Sequence, residues 1–240
     1  MNYPDLLVVA GTYQVLPACP FIPGKEVAGT VMAVGPGVTS VVPGNRVMAQ
    51  PEHGGYASNV VVPASSTWCI PDAMTFEHAA AMGLVYQTAW FALMERGGFK
   101  PGQTVLVTGA AGGVGLAAVQ LVHAMGGTTI AGLRGTTQSE KLRANGASHM
   151  VDLSGPDLRN TIRDQVRAVI GGRGVDLVID QVGGAVFDGA IRSLVWCGSL
   201  VIVGFAGGCI PSVKANYPSS RTSRSLACSG PTTVTAFPSR

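Results

Sequence analysis

From Pro101 to Leu133 the chain carries no Lys, Arg, Asp or Glu. A charge-free run of that length admits two structures: a membrane span, since about 20 apolar residues cross a bilayer, or a buried strand, turn and helix. Glycine decides between them. Gly109, Gly112, Gly113, Gly115, Gly126 and Gly127 cut the run into short pieces, and the first piece lacks the paired basic and aromatic anchors that fix a span at the interface. The stretch "VLVTGAAGGVGLAAVQLVHAMGG", Val105 to Gly127, therefore reads as a β-strand, a glycine turn and a helix.

The same alternation continues downstream. Strands are expected at "TTIAGLR", "HMVDL", "VDLVIDQ" and "SLVIVGFA", separated by helices over 114–125, near 138–145, over 157–170 and over 185–194. Strands apolar on both faces and alternating with helices predict a parallel sheet covered on each side, an α/β doubly wound, Rossmann-like layout. The first 95 residues differ, with Pro and Gly turns between short Val-rich runs such as "VAGTVMAVG" and "YASNVVV", which read as irregular β structure. From Thr75 to Gly97-Gly98 the pattern turns helical and bridges to the second region.

Composition narrows the function. The 240 residues are 47% hydrophobic and 12% charged, with a formal net charge of +3 from scattered basic residues. That is a globular chain with no block of charge for nucleic acid. Five cysteines, Cys19, Cys69, Cys197, Cys209 and Cys228, show no C-x-x-C spacing, so reduced thiols are expected rather than a disulfide framework or a zinc knuckle. The start, "MNYPDLLVVAG", has no basic residue before its short apolar run, unlike a signal peptide; a cytoplasmic protein without a membrane partner is expected. His53, His78, His123 and His149 are scattered without ligand spacing and read as surface or packing residues.

The glycine turn points to a ligand. Glycines at a strand-to-helix turn let a pyrophosphate approach the backbone, and the helix N-terminus offers free amides. Here Ala110, Ala111, Gly112, Gly113, Val114 and Gly115 fill G-x-G-x-x-G with Ala at its first place; a tight turn without ligand is the plainer alternative. NAD sites carry an acid at the end of the second strand for the ribose 2′-hydroxyl. This chain offers Arg134 there, with Thr136 and Lys141 beyond, which suits the 2′-phosphate of NADPH, although Lys141 also reads as a solvated helix-entry residue. Val182 and Gly183 after one strand, and Phe205, Ala206 and Gly207 after the next, stand at strand C-terminal ends where cofactors bind. The letters Thr108 to Gly115 also fit T-G-x-x-x-G-x-G of short-chain dehydrogenases, but after Gly115 the one tyrosine, Tyr217, is followed four places on by Arg221, so the required Y-x-x-x-K is missing.

Taken together, "NYPDLLVVAGTY", "PFIPGKEVAGTVMAVGPGV", "GNRV", "GGYAS", "AAAMGLVYQTAW", "TGAAGGVGLAAVQLV", "GVDLVIDQVGG" and "VIVGFAGG" resemble the zinc-free, zeta-crystallin-like quinone oxidoreductases of the medium-chain dehydrogenase/reductase superfamily. The resemblance implies an incomplete GroES-like, β-rich catalytic domain over 1–95 and a Rossmann domain over 96–217. It also implies hydride transfer from NADPH to a quinone or conjugated carbonyl, with an enoyl or alkenal reductase, or an inactive nucleotide-binding fragment, as alternatives. In zinc-dependent relatives a His takes the second place of G-H-E-x-x-G, whereas this chain reads Gly24-Lys25-Glu26-Val27-Ala28-Gly29. No metal is therefore expected. By the resemblance Asn2, Tyr13 and Thr88 orient nicotinamide and acceptor. Their plainer readings are a turn residue, an amphipathic surface ring and a helix-interior hydroxyl bonded to its own backbone.

Both ends depart from the family. Relatives carry several tens of residues before the Asn of "NYPD", so an N-terminal truncation is expected. After Tyr217 the chain reads "PSSRTSRSLACSGPTTVTAFPSR", polar and patternless. Shifting the codon frame by one base permits "LLKNLAVSGLQWSDYRDRFP", which resembles the family's continuation. A frameshift, an aberrant disordered tail over 218–240 and a sheet without its sixth strand are the expectations. The family's homodimer forms through that part of the sheet, and the altered ending puts the pairing in question.

Overall fold

The computed structural model describes residues 1–212 and the backbone of 224–227. The chain divides into two compact units, Met1–Gln87 and Thr88–Arg240. The division falls inside a helix.

The first unit opens with α1 (Tyr3–Val9), which the sequence reading passed over as a short apolar run. Its start is encoded all the same: Asn2 is the N-cap, Pro4 sits in the first turn, and Asn2 with Asp5 forms a reciprocal capping box. Three short strands follow, β1 (Val27–Thr30), β2 (Arg46–Ala49) and β3 (Thr67–Cys69), paired antiparallel in that order. Val27 lies opposite Ala49, and Val47 opposite Cys69. A single 3-10 turn, Ala64–Ser66, leads into β3. The helix α2 (Phe76–Trp90) begins where Thr75 accepts the His78 amide through its hydroxyl at 3.2 Å, as the Thr75 signal predicts. Beyond the division the helix runs on as a wider π turn, Phe91–Arg96.

The second unit holds the parallel sheet that the alternation predicts. Its strands are β4 (Thr104–Thr108), β5 (Thr128–Leu133), β6 (His149–Asp152), β7 (Val175–Asp180), β8 (Leu194–Ile202) and β9 (Arg224–Ala227), in the order β6-β5-β4-β7-β8-β9. The interleaved helices are α3 (Gly113–Ala124), α4 (Ser139–Ala144), α5 (Leu158–Val169) and α6 (Gly184–Arg192). All pairings are parallel, and strand order reverses between β4 and β7. β4 is buried at every residue, as a central strand covered on both faces must be. Leu106, Ile130, Val178 and Leu200 pack on one face with Ile162 and Val166 of α5 and Phe187 and Ala190 of α6. The intervening Val105, Val107, Ile179 and Val201, also fully buried, point to the other face by the two-residue period of a strand. The charge-free run from Pro101 is thus β4, α3 and β5, and no helix among the described residues is long and apolar enough to cross a membrane.

One expectation about the sheet is corrected. Arg224–Ala227 pairs with Ser199–Ile202 as a sixth strand, so the sheet does not stop at five. The rest of the expected tail, 218–223 and 228–240, lies outside the described residues.

Candidate active site

In a sheet of this order ligands bind in the crevice beyond the strand C-termini, at the point where the order reverses. A cavity of about 310 Å³ lies there, walled by Gly109, Leu133, Arg134, Leu153, Val182, Ala206 and Gly207. Of the residues expected to bind a cofactor, Arg134, Val182, Ala206 and Gly207 stand in this wall. Gly109, Leu133 and Leu153 join them unforeseen, because each is an unremarkable letter directly after a strand or at its last position.

Ala110, Gly112, Gly113, Val114 and Gly115 form the expected turn between β4 and α3. The Ala110 amide donates to Gly132 O at 3.0 Å and the Gly112 amide to Gly109 O at 3.0 Å, which folds the chain back into the helix. Gly115 is obligatory. A Cβ there would collide with Gly109 O and would lie 2.7 Å from Ala110 Cα, so helix and strand can approach this closely only without a side chain. α3 begins at Gly112 with neither a side-chain cap nor an acid in its first turn.

Arg134 follows the last residue of β5, and its side chain is exposed. The adjoining turn is held by Asp152 at the end of β6, whose Oδ1 accepts the Gly135 amide at 3.3 Å and the Ser154 amide at 3.0 Å. Hydrogen bonds from Ser154 hold the Asp152 carboxyl below the usual range. Thr136 lies in the turn before α4 and Lys141 inside α4; neither is in the cavity wall. Phe205 also stands outside it, with its ring edge packed at Gly183.

Two residues before Val182 of the wall stands a group that the sequence reading missed. Asp180, fully buried, ends β7. Its Oδ1 accepts the Thr108 hydroxyl at 2.5 Å and the Val182 amide at 3.1 Å, and the Gly183 amide reaches both oxygens at 3.3 Å. Burial raises its pKa above the ordinary Asp value, against the pull of these donors. The acid in "VIDQVGG" was visible; its partner, 72 positions away, was not.

In the first unit, Asn2 and Tyr13 belong to one polar network. Asn2 donates its side-chain amide to Glu26 Oε1 at 2.5 Å, and Glu26 Oε2 accepts the Leu84 amide at 2.8 Å. Asp5 gathers three donors: the Asn2 amide, the buried Lys25 amide at 3.1 Å and the Tyr56 hydroxyl at 2.8 Å. Burial, with the Asp5 hydrogen bond adding to it, pushes the Tyr56 phenol up to about 12. Lys25 is itself 5% exposed, bonds Glu52 through its ammonium at 3.0 Å, and sits 5.0 Å above the Tyr13 ring. Where zinc-dependent relatives place a ligand, this chain places a paired cation. Among the described residues no group of three His, Cys, Asp or Glu could hold a metal. Thr88 is the first residue of the second unit, in the C-terminal part of α2.

Residues 113–235 match the family described as zinc-binding dehydrogenase, and residues 1–72 match the alcohol dehydrogenase GroES-like domain. The quinone oxidoreductase-like protein 2 homolog of Nematostella vectensis is 38% identical over 220 residues, which is 90% of this chain and 58% of that protein. The chain belongs to the quinone oxidoreductase-like medium-chain dehydrogenase/reductases. It spans under two thirds of the length of such curated relatives. Among solved structures, a mycobacterial protein in complex with NADPH superposes with a TM-score of 0.86 at 34% identity, over 95% of this chain and 70% of that one. The quinone oxidoreductase of Escherichia coli in complex with NADPH gives 0.85 at 28%, over 95% and 69%.

Proposed function

We propose that this chain binds NADPH in the crevice beyond β4, β5, β7 and β8 and reduces a quinone or a related conjugated carbonyl without a metal. The observation that carries the reading is Arg134 in the cavity wall directly after β5. A guanidinium there matches a 2′-phosphate, whereas an acid would be needed for the bare hydroxyl of NAD. The cradle fits the rest of the coenzyme, because the Gly115 contact lets the turn approach a pyrophosphate and α3 opens with amides that no side chain caps. Bound there, reduced nicotinamide supplies the hydride.

The protein's own part is to orient and to stabilise charge. Negative charge grows on the acceptor oxygen as hydride arrives, and without a Lewis acid it must meet hydrogen-bond donors. The resemblance assigns this to the hydroxyls of Tyr13 and Thr88 and gives Asn2, whose side-chain amide is bonded to Glu26, the orienting role. Lys25 stands where a metal ligand would be, and its ammonium neutralises Glu52.

Loss of NADPH absorbance in the presence of a panel of quinones and enones tests the proposal. Quinone turnover supports it; turnover of enones alone makes the protein a double-bond reductase; tight NADPH binding with no turnover makes it a binding protein. Arg134→Ala is expected to weaken NADPH binding by about 10- to 100-fold, the worth of a charge-assisted hydrogen bond or two, and to leave NADH nearly unchanged. Equal affinities for both coenzymes in the unmodified chain would remove the basis of the assignment.

A further inference from the structure

Asp180 has no part in the reaction just described, yet it is a fully buried carboxyl two residues before Val182 of the cavity wall. Each of its side-chain partners is a donor. The Thr108 hydroxyl accepts the Gln181 amide at 3.2 Å, so its own hydrogen goes to Asp180. Three protein groups thus converge on one carboxyl, the arrangement suited to an ionised acceptor. Two of them, the amides of Val182 and Gly183, turn the chain sharply after β7. Gly183 takes φ +75, and a Cβ on it would lie 2.7 Å from Cys209 O, so no other residue fits the turn.

The turn in turn templates its neighbours. Gln181 O accepts the Ala206 amide and Val182 O the Gly207 amide, both at 2.9 Å. The Gln181 side chain donates to Thr108 O at 3.2 Å, one residue before Gly109. Gly109, Val182, Ala206 and Gly207 are therefore all tied to the Asp180–Thr108 pair, and all are wall residues. Leu133, Arg134 and Leu153, the remainder of the wall, lie at or just past the ends of β5 and β6 and make no hydrogen bond to the pair.

A dinucleotide in such a crevice straddles the reversal of strand order, one mononucleotide on each side. Arg134 assigns the adenosine 2′-phosphate to the β5–β6 side, which leaves nicotinamide riboside to the β7–β8 side. We propose that Asp180 and Thr108 are the positioning pair for the nicotinamide half of the coenzyme site, shaping its wall through backbone amides and leaving the adenosine half untouched. This rests on the coenzyme reading given above.

The full chain is titrated with NADPH, by nicotinamide fluorescence, and with adenosine 2′,5′-bisphosphate, by calorimetry. Thr108→Val keeps the shape and removes the hydroxyl; it is expected to weaken NADPH by about tenfold, the loss of one charge-assisted hydrogen bond, with the bisphosphate within about twofold of the unmodified chain on the same reasoning. Thr108→Ser restores the affinity. Asp180→Asn, which removes the charge and sets an NH2 donor against the Gly183 amide in place of Oδ2, is expected to weaken NADPH alone. Equal loss of both ligands would mean a general structural role and would overturn the proposal, as would unchanged NADPH affinity in Thr108→Val. Should Asp180→Asn fail to fold by near-UV circular dichroism, the two Thr108 variants decide. An unmodified chain that binds neither ligand removes the coenzyme reading and this inference with it. An unmodified chain that binds both, beside variants that do the same, removes the inference alone.

Discussion

Each unit is stabilised by its own means. In Thr88–Arg240 the centre is mainly apolar: Leu106, Ile130, Val178 and Leu200 are 0% exposed, and the buried charge described above, Asp180, ends β7 and is bonded to Thr108 at the end of β4. In Met1–Gln87 the strands are three or four residues long, and the buried interior includes Asp5, Lys25 and Glu26, at 3%, 5% and 9% exposure. The first unit also leaves large apolar side chains in the open, Val61 at 99% and Met32 at 78%. A long parallel sheet can rely on burial alone, since each strand brings a full row of branched side chains. Short strands cannot, and here paired polar groups fix the chain where apolar area is scarce. Such groups are costly when one partner is lost, because the other stays buried and unbonded.

The contrast can be broken at its strongest point first. Leu106→Ala opens a cavity in the apolar core and is expected to remove about 2–5 kcal/mol of unfolding free energy, read as a lowered urea midpoint for the second unit. A loss below about 1 kcal/mol would be that of a methylene and would mean that the core is not close-packed. Asp5→Ala leaves the Asn2 and Lys25 amides and the Tyr56 hydroxyl without their acceptor. About 1.5–3 kcal/mol should go from the first unit, while hydrogen exchange in β4 and β7 stays unchanged. Protection lost equally in both units would erase the distinction.

The smallest effect lies in alkali. The Tyr56 phenol titrates at about 12 in the folded chain against 10.0 in the unfolded one. Its raised pKa favours the protonated form, so its contribution is complete below pH 10 and disappears as pH climbs toward 12. Tyr56 is 44% exposed, so solvent screening keeps the contribution small. Tyr56→Phe should flatten the alkaline limb of the first unit's stability profile; a limb of unaltered steepness would assign it to other groups.

The same contrast explains what the sequence disclosed. The second unit was legible because period and glycine are local signals: "VLVTG" and "VDLVID" each announce a buried strand, and the turn to α3 follows within the same few residues. The first unit was legible only as turns and short β runs. Its α1 hides in seven residues, too few for a helical period to emerge, and the capping pair Asn2 and Asp5 with Pro4 between them were the local signs. Asp5 and Tyr56 stand 51 positions apart, Thr108 and Asp180 72. No pattern along the chain reports such pairs, because only the folded backbone brings them together. Arg134 was found because its place after β5 is set by a local element, while Leu133 and Leu153 beside it carry no chemistry that marks them out.

The uncapped start of α3 has a practical consequence. With no aspartate or glutamate in that first turn, its amides attract whatever oxyanion the surrounding solution provides. Sulfate and inorganic phosphate will act as competitors of the coenzyme, so dissociation constants measured in those buffers will exceed the ones obtained in chloride at matched ionic strength.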